Sequence, residues 1–185
     1  ALHAALEKAT GPRMLTYRCN AGALPPGHWT MDPEVGGGRI VGECVHFYDL
    51  CCWLCGGAPE AVEAQRIVSD DARLNAEDNL HTLLRWPGGH TAAITYTALG
   101  HTGLGKERVE VFAGGGAAVL DDYRTLALHG LPGAAVRGNR EDKGQFALMQ
   151  HFIAAVRGEA ALAVTAADGL RATRIAREAL TKAGQ

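Results

Sequence analysis

Two hydrophobic periods run through the chain. Apolar and polar positions alternate, as in a half-buried strand, in RMLTYRCN (13–20), EAVEAQRIVS (60–69), ERVEVFA (107–113), AAVLDD (117–122) and YRTLALHG (123–130). DNLHTLLRW (78–86) and HTAAITYTAL (90–99) flank Pro87-Gly88-Gly89 and predict a hairpin. Counted back from that turn, Leu80, Thr82, Leu84, Ala92, Ile94 and Tyr96 share one core-like face. Asn79, His81, Arg85, Thr91, Thr95 and Thr97 share the other. Helical spacing marks Leu2 to Lys8, the segment from Arg39 to Cys55, QFALMQHFIAAVRG (145–158) and a last helix from Thr165, where Asp168 completes a box-like cap. This order predicts an α+β fold. The expectation is a largely antiparallel open sheet with helices packed on one face, the other face free for oligomerisation.

The segment 39–55, RIVGECVHFYDLCCWLC, is apolar almost all round. At about 100° per residue, Arg39, Glu43, His46 and Asp49 fall within about 120° of one another. Such a stripe faces either solvent at the domain edge, with Arg39 and Glu43 paired at i, i+4, or a cleft. Two features favour the cleft. His46 and Asp49 sit between bulky residues in mid-helix, and the preceding stretch 21–38, with its prolines and glycines, is a long loop able to roof the stripe. An imidazole placed there can move protons near neutrality, and carboxylates beside it can bind hydroxyls or hold the ring.

Composition narrows the rest. A net charge of −2 with 21% charged residues gives no basic surface for nucleic acid. The longest apolar run is broken by Glu43, His46 and Asp49, so no membrane span is expected. The chain starts in a helical pattern without a methionine or a signal sequence, and is expected to be a fragment of a longer one. Five cysteines, at 19, 44, 51, 52 and 55, lack the spacing of a disulfide framework and predict a reducing cytoplasm. One straight helix cannot wrap a metal with Cys44, Cys51, Cys52 and Cys55, so these read as buried small hydrophobes and no metal site is expected.

GGGRIVGECVHFYDLCCWLCG resembles the Gly-Gly-Gly … His-x-x-Asp helix in the C-terminal domain of the Gfo/Idh/MocA oxidoreductases. PRMLTYRCNAG, KERVEVFAGGGAAVLDDYRTLALHG and DKGQFALMQHFIAAVRG resemble the first strand, the sheet hairpins and the late helix of the same domain, so the likeness covers nearly the whole chain. The resemblance implies that residues 1–185 are one C-terminal substrate-binding and oligomerisation domain, whose N-terminal Rossmann domain holds NAD or NADP and is absent here. It implies hydride transfer at a sugar or polyol, His46 as the proton-transfer group, and Asp49 as a holder of substrate hydroxyls. In many relatives an aspartate stands four residues before the histidine; here that position is Gly42, and Glu43 beside it is offset by about 100°. The Glu-Lys-Pro segment of the family's other domain is also missing.

No nucleotide fingerprint takes its place. GLGKER (103–108) leads into a strand pattern and AGGGA (113–117) lies between strands, whereas a dinucleotide cradle needs a strand, a glycine-rich turn and a helix. His28 and Trp29 either line a sugar pocket with Arg39 and Glu43 or anchor their loop to the core. Asn20, at the end of the first strand, is a further pocket candidate. The histidines at 81, 90, 101, 129 and 151 have no partner in pattern and read as structural or surface groups. The rival to an oxidoreductase domain is a non-catalytic sugar-binding or oligomerisation module.

Overall fold

The computed structural model describes residues 1–25, 27–32, 34–71 and 75–184, so Pro26 and Pro33 of the long loop lie outside the described residues. Its first strand, β1 (Arg13–Asn20), sits in the middle of an eight-stranded sheet. The others are β2 (Ala61–Arg66), β3 (Leu80–Arg85), β4 (Thr91–Thr97), β5 (Glu107–Ala113), β6 (Gly116–Asp121), β7 (Thr125–His129) and the short β8 (Val136–Arg137). They lie in the order β2-β3-β4-β1-β5-β6-β7-β8. Among the described residues only the β1–β4 pair is parallel, with Leu15 opposite Ala92 and Tyr17 opposite Ile94; every other neighbour runs antiparallel. The fold is therefore α+β with a mostly antiparallel open sheet. The β3–β4 hairpin closes around Pro87-Gly88-Gly89 through Trp86 N–H to His90 O at 2.9 Å, and its two faces divide as the alternation predicts.

The inward face carries Leu15, Tyr17, Cys19, Leu84, Ile94, Val109 and Val111, all buried. Against it pack α1 (Leu2–Leu6) through Leu6, α2 (Val45–Cys55) through Phe47, Tyr48 and Leu54, and α4 (Ala166–Ala183) through Ile175, Ala176 and Ala179. Tyr48 and Thr82 hydroxyls meet at 2.9 Å and bolt α2 to β3. Gly56 ends α2 at φ 86, where its N–H and that of Gly57 reach back to Cys52 O; a side chain would be strained in that conformation. α4 opens with the predicted box, Thr165 and Asp168 capping each other's backbone.

Three features differ from the sequence expectation. A π-helical turn, Ile40–Cys44, precedes α2, so the segment is not one regular helix. The strand predicted over 60–69 stops at Arg66. Helix α3 (Gln145–Val156) buries none of its residues, and Phe146, Met149, Phe152 and Val156 are exposed. The outward sheet face also remains open, with Met14, Leu83 and Phe112 exposed. Among the described residues no helix is long and apolar enough to cross a membrane.

The β6–β7 connection is a tight turn of three residues, Asp122 to Arg124, where the sequence reading had set two strands end to end with no turn between them. Asp122 and Tyr123 sit at φ 46 and 52, and Arg124 N–H bonds Asp121 O at 2.9 Å. Two successive residues at positive φ favour glycine or asparagine; a bulky residue there costs roughly 1–2 kcal/mol. Asp122 repays part of this by tying the turn to β5, its Oδ1 accepting Glu107 N–H at 2.7 Å.

Candidate functional site

A hollow of about 730 Å³ opens where α2, the start of β5, the β6–β7 turn and the starts of α3 and α4 converge. Phe47 fixes one side of α2 by stacking on Tyr17 with ring centroids 4.5 Å apart. The other side then gives Glu43, His46, Asp49 and Trp53 to the hollow. His46 is exposed and, among the described residues, makes no hydrogen bond or ion pair, so both ring nitrogens are available to a ligand. Asp49 lies 3.5 Å from Arg171 Nη2, which also holds Asp168 at 2.9 Å. Hydrogen bonds from the Thr165 side chain and backbone keep the Asp168 carboxyl below its ordinary range. Glu43 is shared between Arg39 at 3.0 Å and Lys106 at 3.8 Å.

A second polar wall centres on Glu107, buried at the head of β5. Tyr17 hydrogen-bonds Glu107 Oε2, and Tyr17 and Tyr123 hydroxyls lie 3.2 Å apart. Lys143 bonds Glu107 Oε1 at 2.5 Å and Glu141 Oε1 at 3.0 Å, and lies over the Tyr123 ring at 5.4 Å. Burial opposes the charge on Lys143, but the bonds to Glu107 and Glu141 prevail and leave its pKa raised, so it stays an ammonium. Burial chiefly, reinforced by Glu107, keeps Tyr17 and Tyr123 neutral phenols. The site thus offers one free imidazole, anchored carboxylates and a fixed cation, a set suited to a polyhydroxy ligand.

Of the residues singled out in the sequence, Glu43, His46 and Asp49 line this hollow and Arg39, Asn20, His28 and Trp29 do not. The π turn accounts for Arg39. Each π step turns roughly 80–85° rather than 100°, so Arg39 lies most of a quarter-turn away from its expected bearing on His46. It is buried instead, bonding Gly22 O at 2.8 Å, approaching Asp78 at 3.8 Å and lying over the Tyr96 ring. Asn20 lines a separate hollow of about 430 Å³, and its amide pins the β4–β5 loop at His101 O and Leu104 O. His28 caps a short 3-10 turn, Trp29–Met31, and Trp29 is 61% exposed. His81, His90, His101 and His151 each bond a neighbouring hydroxyl or backbone N–H.

The sequence reading missed Tyr17, Glu107, Tyr123, Lys143 and Arg171. They come from five separate segments, and no spacing rule joins them. The one local signal was the abutment of AAVLDD and YRTLALHG, since antiparallel strands with no residues between them require a tight turn.

All five cysteines are buried and free, and among the described residues no cluster of His, Cys, Asp and Glu could hold a metal. The two glycine-rich segments weighed for a dinucleotide do not fit one. Gly103 and Gly105 precede a strand, Gly114 and Gly115 form the β5–β6 turn, and neither pair opens a helix.

Residues 11–119 match the family model described as the GFO/IDH/MocA C-terminal domain. The chain belongs to that family. No match was found among curated proteins. Solved structures of several oxidoreductases share its fold. Aldose-aldose oxidoreductase from Caulobacter crescentus, complexed with glycerol, superposes with a TM-score of 0.78 at 21% identity, covering 97% of this chain and 57% of that one. The WlbA dehydrogenase from Bordetella pertussis, in complex with NADH and UDP-GlcNAcA, gives 0.73 at 17% identity, covering 99% and 58%. Levoglucosan dehydrogenase, in complex with NADH and levoglucosan, gives 0.76 at 16% identity, covering 100% and 59%. This GFO/IDH/MocA domain therefore spans less than two thirds of the chains it resembles, and the likeness at these identities is one of fold.

Proposed function

We propose that this chain is the substrate half of an NAD(P)-dependent oxidoreductase acting on a sugar or polyol. The observation that carries the reading is His46, a partner-free imidazole exposed to a hollow of about 730 Å³, with Asp49 held beside it by Arg171. In this reading His46 takes the proton of the reacting hydroxyl, and Asp49 accepts a hydrogen bond from a neighbouring one. The nicotinamide, when bound, exchanges hydride with the same carbon. Since neither the 103–105 nor the 114–115 glycines open a helix, a second, Rossmann-type domain holds it. The exposed apolar side of α3, next to the hollow at Leu148, is the surface that domain covers. A second copy of the chain covers the open sheet face at Met14, Leu83 and Phe112, and the five free thiols suit the cytoplasm.

The test is His46→Ala and His46→Gln in the protein together with its nucleotide domain. Turnover on a sugar substrate falls by about 10²–10⁴ while cofactor affinity stays within about twofold. Equal losses in turnover and cofactor affinity overturn the assignment. Gly42 favours the rival reading of a non-catalytic sugar-binding module, because it leaves no side chain where many relatives carry a carboxylate. Sugar binding with no turnover, in protein and variants alike, selects that rival.

A further inference from the structure

The hydrogen bonds of the second wall have a fixed direction. Tyr17 has one hydroxyl proton, and Glu107, ion-paired to Lys143 through its other oxygen, receives it. In the contact of 3.2 Å between the two phenols, Tyr123 is therefore the donor and Tyr17 the acceptor. Tyr123 Oη, its proton already given to Tyr17, can only accept from anything in the hollow. Lys143 donates to Glu107 and Glu141, and its third N–H has no partner among the described residues. The wall thus presents an acceptor and a donor, both set by the same buried carboxylate. A hydroxyl group matches such a pair, because it donates once and accepts at the same oxygen; a carbonyl or an ether oxygen cannot donate, and a carboxylate meets the lone pairs of Tyr123.

A second observation comes from the backbone. Tyr123 occupies a positive-φ position, at 52°, where glycine or asparagine would sit without strain. Backbone strain of this sort is kept where the side chain is needed, and here it delivers the phenol to the hollow. Glu107 and Tyr17 do not have to touch a ligand for the arrangement to work; they are positioning residues that orient Tyr123 and Lys143.

We infer that Tyr123 and Lys143 form a hydroxyl-reading subsite: one non-reacting hydroxyl of the substrate donates to Tyr123 Oη and accepts from Lys143 Nζ. The inference rests on the sugar or polyol reading above and adds the residues that choose among such compounds by the position of a second hydroxyl.

Tyr123→Phe is the cleanest variant, because it leaves the turn, the ring over Lys143 and the Tyr17–Glu107 bond in place. Binding of levoglucosan, D-glucose and the 2-, 3- and 6-deoxyglucoses is measured by calorimetry on the protein together with its nucleotide domain, saturated with NADH. The wild type discriminates against one deoxy analogue by about 10-fold, the factor set by leaving a partly buried polar pair unmatched. In Tyr123→Phe that discrimination shrinks to within about threefold, through weaker binding of the parent sugar, while the deoxy analogue binds as before. KM for the parent rises about tenfold with kcat within about threefold, unlike the turnover loss at His46. Tyr123→Asn, which suits the turn, loses the same discrimination and melts no lower than the wild type. Unchanged discrimination in Tyr123→Phe overturns the subsite while leaving the sugar reading intact. Failure of the wild type to bind any sugar of the panel overturns both.

Discussion

Replacing Arg39 with methionine separates a structural arginine from a ligand-binding one. Arg39 is 3% exposed and serves three acceptors: Glu43 at 3.0 Å, Gly22 O at 2.8 Å and Asp78 at 3.8 Å. Methionine keeps the packing over Tyr96 but donates nothing. Glu43 is partly exposed and still has Lys106, so its loss is small, about 0.5 kcal/mol. Gly22 O loses a charge-assisted bond worth about 1.5–3 kcal/mol. Asp78, 4% exposed, loses the cation that offsets its burial, and the total reaches about 3–5 kcal/mol, as for other broken buried pairs. For a chain of this length that lowers Tm by about 6–20 °C.

The pH dependence has a definite sign. Burial raises the Asp78 carboxyl, and Arg39 is the larger of the two groups that lower it, Asn75 being the other, so removing Arg39 raises it further. A carboxyl raised in the folded state favours folding most below its unfolded pKa, and that contribution is lost as pH rises through the folded value. The deficit of Arg39→Met is therefore smallest near pH 4 and grows toward pH 7. Urea unfolding at several pH values measures it, and adding Asp78→Asn recovers part of the loss at pH 7. A deficit under about 1 kcal/mol at pH 7, or no recovery with Asp78→Asn, refutes the burial argument.

Three further predictions concern the core and its border. Burial pushes the thiol of Cys52 up to about 11 and those of Cys19 and Cys55 up to about 12. Roughly a thousandth of Cys52 is thiolate at pH 8, and iodoacetamide labels all five cysteines slowly until urea unfolds the chain; fast labelling of the native protein counts against a closed core. The same raised thiols make stability constant up to about pH 8.5 and declining as pH rises toward the folded values, which urea midpoints at pH 7, 9 and 10 check. A Cβ at Gly100 would lie 1.9 Å from Asn20 Oδ1, so Gly100→Ala displaces the amide that pins the 101–104 loop. The expected cost is about 1–3 kcal/mol, most of it absent in an Asn20→Ala background.

How much was legible in the sequence follows from how local each signal was. Strand alternation, the Gly56 stop and the Thr165–Asp168 cap depend on neighbours within a turn, and they read correctly. The bearing of Arg39 did not, because one π turn alters every angle across it and leaves no residue signature. His46 and Asp49 share the regular part of α2, so their common face survived the error. The second wall was invisible because Tyr17 and Glu107 are brought together only by the β1–β5 pairing, and Lys143 follows from a loop that crosses to reach them. The parallel partner of β1 was equally hidden, since alternation fixes which way side chains point but not which strand lies alongside.

That central place of β1 has a consequence for synthesis. Its two neighbours, β4 and β5, end at residues 97 and 113, so a ribosome must extend the chain by most of a hundred residues before the first strand can pair on both edges. Until then its backbone groups stay open to water or to another nascent chain, and the halves of the sheet have no spine to join. The strand at the centre of this sheet therefore waits for residue 113 before both of its edges are covered.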